Sequence, residues 1–251
     1  MSNINRVNTS ADPEEPLSGQ VALVTGGSRG IGKAIAQKLA ALGAAVSICG
    51  RDPIALHTAT EELRRFASPV LSFQADVTDF KHVSGMVAAT EDKLGPITIL
   101  VNNAGIGNPG FGPLQEKSES DWDQVLDTNL KSVFLASRAV VPLMIQRRRG
   151  DIINISSLAG KSVFAGGALY CASKWGLQGL SGCMAEDLRG FGIRVSVICP
   201  GSVFTDFSGR GPKDPSKVLT ANDVAHAVAT VVLQGPQSFI SEVQLRPVGR
   251  S

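Results

Sequence analysis

Seven short apolar runs, separated by longer segments of helical periodicity, constrain the fold of this 251-residue chain more than any other feature. Strands are predicted at residues 20–25, 45–50, 70–75, 97–101, 151–156, 193–199 and 238–244. Most of these runs are continuously apolar rather than alternating, which is typical of parallel strands covered on both faces. The first helix carries an apolar stripe of Ile31, Ile35, Leu39 and Leu42, and other helices are predicted at about 53–66, 79–94, 118–148, 168–190 and 220–233.

This alternation predicts a single doubly wound, Rossmann-type α/β domain over residues 18–251, with a seven-stranded parallel sheet and helices on both faces. Residues 1–17 lack apolar periodicity and are predicted to be a disordered leader that is dispensable for activity and stability. Two long irregular stretches, 103–117 and 200–219, follow strand ends, where such sheets bind ligands. We therefore expect the second stretch, residues 200–219, to be the substrate loop.

Charge and composition exclude several functional classes. The net charge of +2 and the pI near 8.4 are too balanced for a nucleic-acid-binding surface. No apolar run approaches the ~18 residues that a membrane span needs, and the first nineteen residues do not resemble a secretory signal. We expect a cytoplasmic protein with no membrane partner. The four Cys are expected to be buried, reduced thiols, and the three His are isolated, so no metal site is predicted.

The first motif with chemical meaning is a glycine-rich turn between the first strand and the first helix. It runs Thr25-Gly26-Gly27-Ser28-Arg29-Gly30-Ile31-Gly32, with the pattern Gly-x-x-x-Gly-x-Gly. Glycine allows the backbone to turn tightly and to approach a pyrophosphate, which the amino terminus of the next helix then binds. The position of this turn at the first strand–helix junction predicts a dinucleotide site.

The end of the second strand indicates which dinucleotide is bound. An acidic residue there would bind the adenosine ribose hydroxyl and repel a 2′-phosphate, but this strand ends Gly50-Arg51-Asp52. Arg51 and Arg29 flank the expected ribose and favour NADP(H), because guanidinium groups bind phosphate well. Asp52 is interpreted as the cap of the next helix. The alternative, in which Asp52 binds a ribose hydroxyl, would favour NAD.

Tyr170 and Lys174 are four residues apart and therefore share one face of a predicted helix. Tyr170 is the only Tyr in the chain. A neighbouring ammonium group stabilises the phenolate, so a pKa below the usual value of about 10 is predicted for a general acid/base at Tyr170. Ser157, at the end of the fifth strand, is expected to bind a substrate carbonyl. Ser156 is the rival, since neighbouring strand residues point to opposite faces.

Taken together, these motifs resemble the short-chain dehydrogenases/reductases, in particular members similar to 3-ketoacyl-carrier-protein reductases, over about residues 18–245. The resemblance is carried by Thr25-Gly-x-x-x-Gly-x-Gly32, Asn102-Asn103-Ala104-Gly105, Asn129, Ser157, Tyr170-x-x-x-Lys174 and Pro200-Gly201-x-x-x-Thr205. It implies that Tyr170 donates or accepts a proton, and that Lys174 lowers its pKa and holds the nicotinamide ribose. It also implies that Ser157 orients the carbonyl and that Asn129 binds a water in a proton relay.

The glycine-rich turn, the two arginines and the family resemblance together assign a set of residues to cofactor binding. The set comprises Gly26, Ser28, Arg29, Gly30, Ile31, Gly32, Arg51, Asp76, Val77, Asn103, Ala104, Gly105, Tyr170, Lys174, Pro200, Gly201, Val203 and Thr205. Within it, the pair Asp76-Val77 is expected at the adenine. The segment from Pro200 to Thr205 is expected at the nicotinamide.

The sequence therefore predicts an NADP(H)-dependent oxidoreductase that interconverts a ketone and a secondary alcohol by hydride transfer. The expected substrate is a small carbonyl compound such as a 3-ketoacyl thioester. The resemblance also implies a homo-oligomer, a tetramer or a dimer. Two alternatives are an NAD-linked alcohol or polyol dehydrogenase and, from another functional class, a non-catalytic protein that senses the cofactor. The second alternative would be favoured by loss of Tyr, Lys or Ser from the motif, and all three are present.

Overall fold

The structure is a computed structural model that describes residues 15–107, 109–205, 207 and 214–249. The strands are β1 (Val21–Val24), β2 (Ala45–Gly50), β3 (Val70–Gln74), β4 (Ile97–Asn102), β5 (Gly150–Ile155), β6 (Ile193–Pro200) and β7 (Glu242–Leu245). The helices are α1 (Gly30–Ala41), α2 (Pro53–Leu63), α3 (Phe80–Leu94), α4 (Glu119–Leu126), α5 (Ser132–Arg147), α6 (Ala168–Arg189) and α7 (Ala221–Val232). Every predicted strand is present.

The strands form one sheet in the order β3-β2-β1-β4-β5-β6-β7, and all neighbours are parallel. The predicted doubly wound fold is therefore confirmed. The strand order reverses between β1 and β4. In such sheets the loops leaving these two strands diverge to opposite faces and open a crevice at the carboxyl edge, where ligands bind.

The last strand begins later than its apolar pattern predicts, at Glu242 rather than at residue 238. β7 lies at the sheet edge and pairs only with β6, from Val197 opposite Glu242 to Pro200 opposite Leu245. Immediately before it, the backbone N–H of Ile240 donates to the side chain of Gln234 at 2.6 Å. The N–H of Ile240 therefore bonds to a side chain and not to the backbone of a neighbouring strand. The apolar residues before Glu242 belong to the loop between α7 and β7.

Two apolar cores lie on opposite faces of the sheet. Alternate residues of β1 supply them, because Ala22 and Val24 pack with α1, α2 and α7 whereas Val21 and Leu23 pack with α3, α5 and α6. This arrangement explains why the central strands are continuously apolar. The sheet is held rigidly between the two helical layers, and its carboxyl edge is a fixed platform for the site.

In the structure the folded domain includes Leu17, which the sequence pattern places in the leader. Leu17 is 1% exposed and belongs to the first core. Its backbone N–H donates to the carbonyl oxygen of Leu42 at 2.8 Å, which ties it to the turn after α1. Leu17 is therefore structural, because an apolar side chain that fills a core is not dispensable. The expectation for residues 1–14 lies outside the described residues.

Two further observations concern side chains and helices of the described part of the chain. None of its helices is long and apolar enough to cross a membrane. Within the same residues, no three His, Cys, Asp or Glu side chains group in a way that could hold a metal ion. Three Cys are buried as predicted, but Cys183 is exposed, because it lies on the outer face of α6.

Candidate active site

The glycine-rich turn packs its backbone against itself at the carboxyl end of β1. Gly26 and Gly30 adopt φ angles of +64° and +55°, a region that disfavours other residues. A Cβ at Gly32 would clash with the carbonyl oxygen of Gly26. No side chain caps the amino terminus of α1, so its first N–H groups stay available. The turn is a cradle of the shape and polarity that a pyrophosphate requires.

Thr25 and Asn103 brace this turn against the end of β4. The Thr25 hydroxyl accepts the backbone N–H groups of Asn103 and Ala104 at 3.0 and 3.1 Å. In return, the Asn103 side chain donates to the carbonyl oxygens of Thr25 and Gly26 at 3.0 and 3.2 Å. The side chain of Asn103 thus holds the turn in shape, while Ala104 and Gly105 continue along the crevice. The sequence pattern places Thr25 at the end of the first strand, and the structure adds its role as a brace between β1 and β4.

At the adenosine end, the structure explains why β2 ends in a glycine and not in an acidic residue. A Cβ at Gly50 would lie 2.7 Å from the hydroxyl oxygen of Ser28, so Ser28 occupies the space that a longer residue would need. Arg29 directly follows Ser28, Arg51 directly follows Gly50, and both arginines are exposed. The Asp52 carboxylate accepts the N–H groups of Ile54 and Ala55 at 2.9 and 3.2 Å, which confirms that it caps α2.

Asp76 and Val77 lie after β3, on the same edge of the sheet. The Asp76 carboxylate accepts the N–H and the hydroxyl of Thr78 at 2.9 and 2.8 Å. Partial burial opposes ionisation of Asp76, but the bonds from Thr78, together with Arg51 and His82, lower its pKa below the usual value. Asp76 is therefore a carboxylate close to Arg51, and Val77 is buried in the second core.

The predicted helix over residues 118–148 is interrupted by a π-helical segment, Asp127–Lys131, which contains Asn129. Such π-bulges occur frequently at functional sites. The Asn129 side chain is fully buried and donates to the carbonyl oxygen of Ile106 and the Ser173 hydroxyl at 2.9 and 3.1 Å. Its oxygen accepts the Ile106 N–H at 2.7 Å. Because both amide donors are used, the observed contacts make Asn129 a clamp between the loop after β4 and α6.

The structure distinguishes the two serines after β5. The Ser157 hydroxyl is the side-chain partner that lowers the pKa of the Tyr170 phenol against the effect of burial, and it accepts the Ala159 N–H at 3.1 Å. Ser156 is buried, and its hydroxyl accepts a hydrogen bond from Gln178 at 2.9 Å. The two side chains therefore have different partners, and Ser157 is the one that lies beside the phenol.

Tyr170 and Lys174 share one face of α6 as predicted, and both are buried. The Lys174 ammonium nitrogen lies 5.8 Å from the centre of the Tyr170 ring. It donates to the carbonyl oxygen of Ile155 at 3.0 Å. An ammonium group has three donors, and within the described residues this is the one hydrogen bond of Lys174. A buried cation with spare donors suits the hydroxyl groups of a ribose.

The predicted fall in the pKa of Tyr170 is wrong for the protein without a ligand. Burial raises the pKa of Tyr170 to about 12, although the hydrogen bond with Ser157 opposes that shift. Burial also lowers the pKa of Lys174 to about 8. The desolvation of both groups therefore exceeds their mutual electrostatic stabilisation. Extra positive charge or polar contacts have to enter the site before the phenol ionises readily.

The loop after β6 closes the other side of the crevice. Gly201 is tied to β7 by a 2.8 Å backbone hydrogen bond to Leu245, and Val203 is buried. The Thr205 methyl carbon would lie 3.5 Å from a Cβ at Gly30, so this loop faces the glycine-rich turn. The described residues thus place Thr205, at the end of the segment 200–205, next to Gly30 of the glycine-rich turn. Residues 206 and 208–213 of the predicted substrate loop lie outside the described residues.

Comparison with known proteins gives a consistent picture. Residues 20–215 match the family described as short chain dehydrogenase. The chain is 39% identical to 3-oxoacyl-[acyl-carrier-protein] reductase of Synechocystis sp., over 76% of this chain and 77% of that protein. It is also 34% identical over 94% of its length to glycine betaine reductase ATRR of Emericella nidulans, but it spans only 19% of that longer protein.

Two solved structures share the fold across almost their whole length. One is a metagenomic short-chain oxidoreductase in complex with NADP, with a TM-score of 0.82, 42% identity and coverage of 92% of this chain and 98% of that one. The other is an NAD⁺-bound xylitol dehydrogenase, with a TM-score of 0.85, 27% identity and coverage of 92% and 99%. Nicotinamide cofactors of both kinds therefore occur among the structural relatives.

Proposed function

The chain belongs to the short-chain dehydrogenase family, and on that premise we propose that it is an NADP(H)-dependent oxidoreductase that reduces a ketone to a secondary alcohol. The observation that carries this proposal is the cluster formed by the buried side chains of Tyr170 and Lys174 and the partly buried Ser157, at the same edge of the sheet as the glycine-rich turn. It combines a hydrogen-bond donor, a proton source and a cation at one edge of the sheet, which is the set that carbonyl reduction needs.

In this proposal each residue has a defined task. Ser157 donates a hydrogen bond to the carbonyl oxygen of the substrate, and Tyr170 transfers its hydroxyl proton to the same oxygen. The bound nicotinamide supplies the hydride, two electrons and one proton, to the carbonyl carbon, so that the product is the neutral alcohol. Lys174 uses its spare donors on the nicotinamide ribose and stabilises the phenolate that remains until solvent returns a proton. Asn129 is a positioning residue: its hydrogen bonds to Ile106 and Ser173 hold the loop after β4 against α6, the helix that carries Tyr170 and Lys174.

The experiment that tests the proposal is a panel of ketones, ketoses and ketoacyl thioesters, with NADPH consumption as the readout. Turnover of at least one ketone, with a stoichiometric yield of alcohol, is the expected result. If NADPH binds but no carbonyl compound in the panel is reduced, the non-catalytic alternative replaces this proposal.

We expect NADP(H) to be preferred over NAD(H) by about ten- to hundredfold in kcat/KM. A charge-assisted hydrogen bond to phosphate contributes roughly 1.5–3 kcal/mol, and the exposed Arg29 and Arg51 directly follow Ser28 and Gly50, which are in contact range of each other. Arg51→Asp should reverse the preference, because its carboxylate repels a 2′-phosphate and binds a ribose hydroxyl. The measurement is kcat/KM for both cofactors with one ketone.

The matched control for this prediction is Arg65→Asp, which makes the same charge change at an exposed arginine beyond the end of α2. It should leave the cofactor ratio within about twofold of the wild-type value. Equal kcat/KM for the two cofactors in the wild-type enzyme would contradict the assignment of NADP and favour the NAD-linked alternative.

The outer face of α4, α5 and α6 supports the proposal of a homo-oligomer. Trp122, Phe134 and Trp175 are 46%, 47% and 49% exposed on these three helices. Large apolar side chains grouped at a surface typically mark an interface with another protein chain. A second copy of this chain is the proposed occupant, and the mass in solution, dimer or tetramer, tests it.

A further inference from the structure

Two phenylalanines pack against the ring of Tyr170 and a third packs against one of them. The three come from loops at three different strand ends. The ring of Phe111 lies 5.4 Å from the Tyr170 ring, and that of Phe207 lies 6.0 Å from it, between centroids. Phe164 lies 5.9 Å from Phe111 and extends the aromatic surface outward. These three side chains, which we call the aromatic wall, follow β4, β5 and β6 in turn.

Glycines place the wall close to the reacting groups. A Cβ at Gly107 would lie 2.7 Å from the Phe111 ring and 2.8 Å from the Phe207 ring, so both rings pack over a position without a side chain. At the third ring, a Cβ at Gly167 would lie 2.7 Å from Phe164. Any larger residue at Gly107 would displace two members of the wall, which makes this glycine a positioning residue for the substrate pocket.

The loop that carries Phe111 is held in place before any ligand arrives. The Lys117 ammonium donates to the carbonyl oxygens of Pro109, at 2.7 Å, and of Phe111. On the other side of the loop, the N–H of Gly112 donates to the carbonyl oxygen of Gly166 at 2.8 Å. The positive charge of Lys117 is thus directed at backbone carbonyls, and the surface that the loop turns toward Tyr170 is the Phe111 ring.

The wall is also open to a ligand. Phe164 and Phe207 are each 41% exposed, whereas Tyr170, which packs against Phe207 and Phe111, is 8% exposed. Exposed aromatic rings that lead to a buried polar group are typical of small-molecule pockets, where apolar walls supply affinity and a few polar groups fix orientation. A ketone that reaches Ser157 and Tyr170 must place its substituents against these rings.

From this geometry we propose that the enzyme selects ketones with an apolar, preferably aryl-bearing, substituent and discriminates against polyhydroxylated ketones. The inference rests on the proposed function and specifies its substrate class. An aryl group gains the burial of its surface and ring contacts with the aromatic wall. A hydroxyl buried against the rings without a partner loses its hydrogen bonds to water and lowers affinity roughly tenfold.

Two matched pairs of ketones test this selectivity. Benzylacetone differs from methyl ethyl ketone by a phenyl ring, and we expect its kcat/KM to be higher by roughly thirtyfold or more. Diethyl ketone and dihydroxyacetone have the same number of heavy atoms, and we expect the apolar member to be preferred by about a hundredfold, since two hydroxyls are stranded in the second. Acetoacetyl thioester is run alongside them.

Variants of the aromatic wall assign the preference to these residues. Phe164→Ala and, separately, Phe207→Ala should each lower the ratio of kcat/KM for benzylacetone over methyl ethyl ketone by about tenfold. The control is Phe239→Ala, which removes a ring that is also 41% exposed but precedes β7 at the opposite edge of the sheet. The ratio should not change in this control.

A binding measurement separates the inference from the proposed function. Calorimetry of benzylacetone with the NADPH-loaded Tyr170→Phe protein should show binding with a negative heat-capacity change, the marker of apolar burial. If the Tyr170→Phe protein binds benzylacetone but the wild-type enzyme reduces none of the ketones, the apolar pocket is supported and the proposed reaction is overturned. The inference would be overturned, with ketone reduction still supported, by a higher kcat/KM for dihydroxyacetone than for diethyl ketone or for the thioester than for benzylacetone. A ratio of kcat/KM for benzylacetone over methyl ethyl ketone that is unchanged in Phe164→Ala and Phe207→Ala would have the same consequence. Absence of both binding and turnover would overturn both.

Discussion

Replacing Tyr170 with Phe is expected to lower kcat/KM for ketone reduction by about 10²–10⁴-fold, the usual contribution of a general acid. The substitution removes only the hydroxyl that transfers the proton. The ring keeps its contacts with Phe111 and Phe207, and the lost hydrogen bond to Ser157 costs about 1 kcal/mol of stability. The measurement is NADPH consumption, accompanied by thermal unfolding and by NADPH binding.

Ser156→Ala is the matched control, because it removes a hydroxyl one residue from Ser157 that is hydrogen-bonded to Gln178 instead of to Tyr170. It should retain kcat/KM within about threefold of the wild-type value. A Tyr170→Phe enzyme that is folded, binds NADPH and retains more than about a tenth of the wild-type activity would rule out Tyr170 as the proton donor.

Replacing Lys174 with Met is expected to destroy activity and to stabilise the protein without cofactor. Burial shifts the pKa of Lys174 from 10.5 to about 8, so its charged form costs about 3 kcal/mol at neutral pH. Replacing Lys174 with Met removes this cost but also removes the hydrogen bond to Ile155, which lowers the free energy of unfolding by about 1–2 kcal/mol. A net gain of about 1–2 kcal/mol corresponds to a Tm higher by roughly 2–8 °C, while kcat/KM falls by about 10²–10³-fold.

The stability difference should depend on pH in a defined direction. Between about pH 8 and 10.5 the unfolded chain holds a proton on Lys174 that the folded chain has lost, so wild-type stability rises with pH across this window. The Met variant lacks this rise, and its advantage should shrink accordingly. Lys81→Met, at an exposed position of α3, is the control and should leave Tm unchanged. A Lys174→Met protein that is less stable than wild type at pH 7 would contradict the account.

The order of strands and helices follows from the sequence because both apolar cores leave a mark on it. The central strands are apolar at every position, and helices such as α1 carry a single apolar stripe, so their bounds are predicted within a few residues. Leu17 and the start of β7 are different. Leu17 packs into the first core and bonds to Leu42, and Ile240 bonds to Gln234. A linear pattern does not contain such tertiary partners.

At the site, spacing predicts which groups meet but not their energetics. Tyr170 and Lys174 share a helix face because they are four residues apart, yet the direction of the pKa shift of Tyr170 depends on burial, which spacing does not reveal. The sequence does not predict the aromatic wall either, since Phe111, Phe164 and Phe207 are far apart along the chain. They are brought together only because the loops after β4, β5 and β6 lie at the same edge of the sheet. Asn129 was singled out, but its clamp on Ile106 requires the π-helical segment.

We propose that Tyr170 is the acid/base of the reaction and ionises readily only when the cofactor is bound. Because it is the only Tyr in the chain, its phenolate absorbance can be titrated directly. The titration is done on the folded protein alone, with NADP⁺, and with NADPH, which lacks the positive charge on the ring. We expect no phenolate signal below about pH 10 in the protein alone, because burial raises the pKa of Tyr170 to about 12. With NADP⁺ the signal should appear at lower pH than with NADPH. Identical titrations in all three samples would contradict this proposal.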